Sequence, residues 1–513
     1  MWFRLAVFCL SFYPSFLAAQ EFTPIDVGQH IYDGGWEHYV GGGVAAFDCD
    51  GDHLPELYAA GGDNPATLFR NNSQPNREVE FSQETPEELR ISGVIGAYPL
   101  DIDSDQRIDL VVLRVGENLL LKGGPDCSFT PFSNLEITKT NKWTTAFSAA
   151  WEKDQTLPTL VFGNYVNRSD PNGPFRACDF HNLFRPIGNT YGPPMVLSPG
   201  YCALSMLFSD WSRQGRPDLR ISNDRHYYVQ GGQEQLWSME IEPRLYGAED
   251  GWIKHELWGM GIASRDITKD GMPDVYLTSM GDQRLQLQEG SGKPIYRDAA
   301  FDFGVTAHRP YIGDDGRPST GWHAVFGDVQ NDGLDDLFIT KGNVEQMLGS
   351  AFTDPNNLLV QGADHKFTEM GDKAGIASMG RGRGGALADF NLDGLLDWAV
   401  VNRRSNIEVY ENVTTGTGHW IGLKLQQPGI NPDAVGAWIE LRAGEEIHTR
   451  EVTVGGGHAG GVLTAEHFGL GKQKSGSVRV IWPDGITSEW KNLPVDRYLT
   501  VLRTANGLEL TPY

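Results

Sequence analysis

Apolar residues in this chain fall into short runs, and acid-rich turns separate many of them. Val44-Ala45-Ala46-Phe47 leads into one such turn, and Leu57-Tyr58-Ala59-Ala60 follows it. The order returns in Leu110-Val111-Val112-Leu113, Val275-Tyr276-Leu277, Leu337-Phe338-Ile339 and Trp398-Ala399-Val400-Val401, each placed just after an acid turn. Short β-branched or aromatic runs bounded by turn residues read as buried strands. A further strand in each unit carries Asn at one or both ends, as in Thr67 to Asn71, Asn118 to Leu121, Asn357 to Val360 and Asn406 to Asn412. No long amphipathic helical period intervenes, which argues against an α/β barrel. Units of roughly 40–60 residues with several short strands predict propeller blades, and the spacing predicts seven of them. The third unit is degenerate: its turn, from Trp151 to Thr159, keeps only Glu152 and Asp154.

The turns carry the candidate chemistry. The first offers Asp48, Asp50, Asp52 and Glu56; the second offers Asp101, Asp103, Asp105 and Asp109. Later turns offer Asp266, Thr268, Asp270 and Asp274, then Asp328, Gln330, Asp332 and Asp336, then Asp389, Asn391, Asp393 and Asp397. Alternation turns the odd positions to one side of a tight loop. Carboxylates so gathered repel one another unless a hard cation sits among them, and Ca²⁺ takes six to eight such oxygens. Position six, counted from the first Asp, is glycine in four loops (Gly215, Gly271, Gly333, Gly394), as a left-handed turn requires. His53 and Gln106 hold that position in the first two. The loop from Asp210 to Asp218 has only two carboxylates and is left out of the cation set.

These units resemble the FG-GAP or VCBS repeats of integrin-α-type propellers, whose Asp-x-Asp-x-Asp-Gly-x-x-Asp loops hold Ca²⁺. The resemblance implies a chiefly structural ion that ties two strands of one blade.

After Asn412 the grammar changes. A turn cluster, Val413 to Gly418, leads into strands without acid loops: Trp420 to Leu425, Ala437 to Leu441, Thr449 to Val454 and Ser477 to Trp482. Several alternate with period two, which predicts a small antiparallel sandwich or barrel with one buried face. Asn431-Pro-Asp433-Ala-Val-Gly436-Ala437, His467-Phe468-Gly469-Leu470-Gly471 and Trp482-Pro483-Asp484-Gly485 resemble the ASPIC/UnbV module of the cartilage-acidic-protein-like family. The expected fold is therefore all-β: a seven-bladed propeller over residues 20–412, then a sandwich-like domain over 413–513.

Composition narrows the setting. Arg4 followed by the apolar stretch from Leu5 to Leu17 and by Leu17-Ala18-Ala19 reads as a signal peptide over residues 1–19. No later segment is apolar enough to span a bilayer, so no transmembrane anchor is expected. The net charge of −25 argues against nucleic acid and anionic membranes as partners. Four cysteines remain beyond the signal; of three connectivities, Cys178–Cys202 is favoured because both flank one long insertion, with Cys49–Cys127 as the remaining pair. Asn71, Asn167 and Asn412 begin glycosylation sequons.

Catalytic motifs are wanting. There is no Gly-x-Ser-x-Gly, His-Glu-x-x-His or P-loop, and His255-Glu256 lacks a second histidine. His467 is expected to be a hydrogen-bonded structural histidine, and Gly455-Gly456-Gly457-His458 a tight turn. Trp322-His323 precedes an acid loop and is expected near the propeller axis, where it could meet a sugar. His308, Arg309 and Tyr311, in the long stretch from Arg297 to Thr320, form a mixture suited to a protein or glycan partner. The expected function is an exported calcium-binding protein acting in binding or adhesion without catalysis. The alternatives are a calcium-dependent polysaccharide lyase and an accessory factor for another exported protein.

Overall fold

The computed structural model describes residues 20–135, 137–224, 228–290, 292–313 and 316–513. The expected signal peptide, residues 1–19, lies outside them. Strands dominate, and the α-helix among the described residues is the single turn Gly371–Ala374. Residues from Phe22 to Asn412 build seven four-stranded antiparallel units. Blade one shows the pattern: Val44–Phe47 innermost, then Glu56–Ala59, Thr67–Asn71 and Phe81–Gln83 outward. The innermost strands of the others are Val94–Leu100, Lys142–Ala150, Ala203–Ser209, Gly259–Arg265, Gly321–Gly327 and Gly382–Ala388. They pack side by side in chain order, and Gly382–Ala388 meets Val44–Phe47 to close the ring. The fold is thus an all-β propeller. Its seventh blade takes its outer strand from the chain start: Phe22–Ile25 pairs with Glu408–Asn412, Phe22 opposite Asn412.

Apolar faces of neighbouring blades bury against each other, as where Phe81 of blade one meets Phe390 of blade seven edge-on at 5.3 Å. Asparagines at the ends of third strands staple blade to blade. Asn71 donates to Pro55 O of its own loop (3.0 Å) and to Phe390 O of blade seven (2.8 Å). Asn412 does the same with Leu396 O and Val329 O. Both are buried, so two of the three sequons are structural asparagines whose Oδ1 accepts the N–H two residues on.

The segment from Asp179 to Tyr201 is not an insertion. It supplies blade three with its two outer strands, His181–Phe184 and Met195–Leu197. Both disulfides have the expected pairing, Cys178–Cys202 and Cys49–Cys127, the latter joining the loop of blade one to blade two.

Beyond Asn412, two four-stranded sheets pack face to face around Ile421, Leu423, Ile439, Leu441, Phe468 and Val480. One sheet is not wholly antiparallel as expected: His419–Gln426 runs parallel to Arg497–Thr504.

Candidate functional site

All the acid loops join an innermost strand to the second strand of its blade, so they share one face of the ring. The later loops share one plan, and the first, from Asp48 to Glu56, follows it in part. The first Asp folds back to accept backbone N–H groups from the loop tip. Asp101 takes those of Asp105 (3.1 Å) and Gln106 (2.7 Å), Asp266 those of Asp270 and Gly271, Asp328 those of Asp332 and Gly333, and Asp389 those of Asp393 and Gly394. Asp48 takes Gly51 and His53. The last carboxylate ties the loop to the third strand: Asp109 accepts from Ile102 and Gly123, Asp274 from Ile267 and Gln288, Asp336 from Val329 and Gln361, Asp397 from Phe390 and Asn412. His53 (φ 74°) and Gln106 (φ 69°) adopt the left-handed backbone that glycine holds in the other loops.

Two carboxylate sets converge most closely. One oxygen each from Asp48, Asp50 and Glu56 lies within 4.8 Å of the others, and so do oxygens of Asp101, Asp103 and Asp109. Glu56 Oε1 and Asp103 Oδ1 are buried without a hydrogen-bond partner. An oxygen-only donor set with such orphaned oxygens fits a hard cation. Asp52 and Asp105 stand apart: Asp52 caps Leu54 N, and Asp105 pairs with Lys122 at 2.6 Å. In the later loops the sets are thinner. Thr268 donates to Asp274, Gln330 to Asp332, and Asn391 Oδ1 accepts from Asp393 N.

Burial dominates the electrostatics. It pushes Glu56 and Asp109 up to about 8, and Asp266 and Asp389 up to about 7, with neighbouring carboxylates adding to it. Asp101 is raised to about 7 by burial, helped by the charge of Asp433 in the C-terminal domain. Asp328, Asp336 and Asp397 are raised well above the ordinary carboxylate range, by burial first and by carboxylates of the same loop next. Two basic residues offset part of this charge, and the loop motif does not announce them. Arg70 reaches Asp50 at 2.7 Å, and Lys122 bonds both Asp103 and Asp105, each from the third strand of the blade.

The propeller channel departs from expectation. Gly455 to His458 does not form the expected tight turn. Residues 453–464 leave the C-terminal sandwich, enter the channel and pair with inner strands around the ring. Gly456 N bonds Met206 O (2.7 Å), Gly457 N bonds Ile262 O (2.7 Å), and Gly461 N bonds Ala97 O (3.1 Å). Val462 and Leu463 run parallel to Ala46 and Phe47. Backbone approaches so closely at Ala459 O that a Cβ on Gly43 or Gly96 would lie 1.8 or 1.6 Å from it. Trp322 and His323 do face the axis, but under this strap: His458 packs on Trp322 at 5.0 Å and its N–H donates to His323 Nδ1 (2.9 Å). Burial lowers His323 to about 4 and His458 and His467 to about 3, so all three are neutral imidazoles at pH 7. Beyond Trp322, the Arg383 guanidinium lies 4.0 Å from its ring and donates to the carbonyls of Asn343 and Val344.

Among its described residues, the long stretch before Trp322 forms no joint lining. Tyr311 donates to Asn356 O, Trp322 is fully buried, and His308 pairs at the surface with Asp282 at 3.0 Å. His467 is structural, as expected: its Nε2 meets Asn331 Oδ1 at 2.7 Å.

A propeller ring with acid loops on one face, capped by a sandwich that sends a strap down the channel, is the class of protein these features define. Residues 427–507 match the family described as ASPIC and UnbV, so the capping sandwich carries that domain. The chain is 28% identical to mouse cartilage acidic protein 1 over 479 residues, 86% of this chain and 70% of that protein. It is 29% identical to the human protein over 234 residues, 44% of this chain and 33% of the other. Among solved structures it is similar to BBS1N from a complex with ARL6DN (TM-score 0.45, 10% identity, 77% of this chain and 98% of that chain). It is also similar to an Agrocybe aegerita lectin that recognises non-reducing terminal N-acetylglucosamine (TM-score 0.40, 12% identity, 73% and 94%). Among the described residues, no helix is long and apolar enough to cross a membrane.

Proposed function

We propose that this is an exported calcium-binding protein that works by binding a partner and carries out no reaction of its own. The observation that carries the reading is the convergence of Asp48, Asp50 and Glu56, and of Asp101, Asp103 and Asp109, with a buried, unpartnered oxygen in each set. Asp266, Asp270 and Asp274, Asp328, Asp332 and Asp336, and Asp389, Asp393 and Asp397, with Thr268, Gln330 and Asn391, would hold further ions through their side-chain oxygens. When bound, the ion supplies positive charge that lets buried carboxylates ionise together and so stiffens the turn between two strands. Two disulfides favour an oxidising compartment.

Binding is favoured over a lyase because the channel wall that would meet a sugar is filled by the chain's own strap. The acid-loop face is covered by the C-terminal domain, which leaves the opposite face for a partner. Trp36, Phe175, Phe301 and Leu348 are exposed there, Leu348 to 77%. Exposed apolar side chains on a rigid ring suit a protein partner. The test is affinity capture with calcium-loaded protein from the native extracellular medium, repeated with Trp36→Ala and Leu348→Asp. A partner lost with either variant supports the reading. Turnover of an acidic polysaccharide, read as unsaturated products, would replace it with the lyase.

A further inference from the structure

Position four of each acid loop is held left-handed whatever residue stands there: φ is 89° at Gly51 and 56° at Leu392, and 61° at Ser104, 53° at Arg213, 56° at Lys269 and 59° at Asn331. The loop imposes this conformation on glycine and leucine alike, and at Ser104, Arg213, Lys269 and Asn331 it presents a polar side chain. These four side chains each do work outside their own loop. Three reach the next blade's loop at position six: Arg213 donates to Gly271 O (3.1 Å), Lys269 to Gly333 O (3.2 Å) and Asn331 to Gly394 O (2.9 Å). All four also hold the C-terminal domain. Ser104 Oγ accepts from Asn431 N (3.0 Å), Arg213 pairs with Glu440 (2.6 Å), Lys269 pairs with Glu446, and Asn331 bonds His467.

The C-terminal domain also touches the loop carboxylates themselves. Tyr498 OH donates to Asp389 at 2.6 Å. Gly469 lies so close to Asp328 that a Cβ there would be 1.8 Å from its Oδ2. Asp433, two residues past Asn431, adds its negative charge to that of Asp101. The docking surface and the candidate cation ligands are therefore one structure. Emptied loops lose the positive charge that lets these acids ionise together, so each carboxylate that does ionise repels its neighbours and Asp433 of the docked domain. The domain is also the base from which the strap enters the channel, because 453–464 lies between its strands Glu446–Glu451 and Glu466–Gly471.

We propose that cation loading of the acid loops latches the C-terminal domain onto the propeller, and that emptying the loops frees the strap and bares the Trp322–His323 wall of the channel. The proposal rests on the calcium reading above and adds a regulated site to it. Thermodynamic reciprocity follows: whatever weakens docking must also weaken cation binding, even at residues that touch no cation.

The experiment is hydrogen–deuterium exchange on the full chain in millimolar Ca²⁺ and in EDTA, with bound metal counted in parallel. The latch predicts at least tenfold faster exchange of the amides of Gly456, Gly457 and Gly461 in EDTA, while Val161 and Phe162, inside blade three, stay protected. Loss of protection at Val161 and Phe162 to the same extent means global unfolding and overturns the latch. Metal that binds without changing strap exchange also overturns it and leaves the calcium reading standing; no bound metal sinks both. His467→Ala then tests reciprocity in Ca²⁺. It should keep the metal count and raise the half-saturating Ca²⁺ about threefold or more, with faster strap exchange. Should that variant fold poorly, Tyr498→Phe, which removes one hydroxyl, is expected to shift both readouts in the same direction by less. Unchanged Ca²⁺ affinity in a folded variant with a loosened strap overturns the proposal.

Discussion

The loops of blades two and three join equivalent strands in adjacent blades, yet they settle their charge by different means. Blade two gathers Asp101, Asp103 and Asp109 around a point that no protein cation fully satisfies, since Lys122 reaches only Asp103 and Asp105. Blade three keeps one acid at the start of its loop and closes it internally. Glu152 accepts from Thr159 OH (2.7 Å) and from Arg185 Nε (2.7 Å), and Asp154 (φ 65°) merely turns the chain. The comparison teaches that the strand-to-strand turn needs no carboxylate cluster. A salt bridge and a hydroxyl suffice for it. The clusters kept elsewhere therefore answer a second requirement, and the cap that rests on them supplies one.

The largest effect expected is from chelation. A site filled at a hundred times its Kd stabilises by about 2.7 kcal/mol, and several sites act together. Melting in millimolar Ca²⁺ should occur well above melting in EDTA. Superimposed curves, with no metal in the purified protein, would remove the distinction between the two blades.

Next in size is pH. Without a cation, Glu56, Asp109, Asp101, Asp266 and Asp389 have folded values of about 7 to 8, far above those of an unfolded chain. Raised values mean that the folded state holds protons more tightly. The stability they contribute is complete below about pH 4 and is lost progressively as pH rises from there to about 8. Denaturation midpoints in EDTA should fall from pH 5 to pH 8. Ca²⁺, which binds the ionised form, should flatten or reverse the slope. A flat EDTA profile would show that these acids are not buried as described.

Single substitutions give the smallest and sharpest test. Asp101→Ala, Asp266→Ala, Asp328→Ala and Asp389→Ala should each lose about one bound Ca²⁺ in native mass spectrometry, whereas Asp154→Ala should lose none. Arg185→Ala should destabilise by about 1–3 kcal/mol, as a partly buried acid loses its partner, with the metal count unchanged. Metal lost from Asp154→Ala would place a cation site in blade three.

Much of this was legible in the sequence because it repeats. The acid turns, the Asn-ended third strands and the degenerate third unit all recur or fail at a near-regular spacing. Strand pairing within a blade is local, so pattern carries it. The rest depends on partners remote in the chain. Gly455 to His458 looked like a turn because what fills the channel is decided by Gly43, Gly96, Met206 and Ile262, on four different blades. Position four was invisible for the same reason. Ser, Arg, Lys and Asn share no side-chain chemistry, and only the docked domain reveals their common duty. Asn71 and Asn412 matched a modification signal by accident of the Ser or Thr that follows an Asx turn.

Ring closure has a consequence for biosynthesis. Phe22–Ile25, the first strand among the described residues, completes the last blade of the ring, and its partners lie nearly the whole propeller away in the chain. During emergence from a ribosome or a translocon, Phe22–Ile25 has no partner strand until Asn412 is out. The channel stays unfilled until the strap follows. Contacts this distant are slow to form because a long loop must close first. The nascent chain therefore spends the whole interval as an open arc with an unpaired strand at each end, the interval in which a folding helper or a wrong partner has its opportunity.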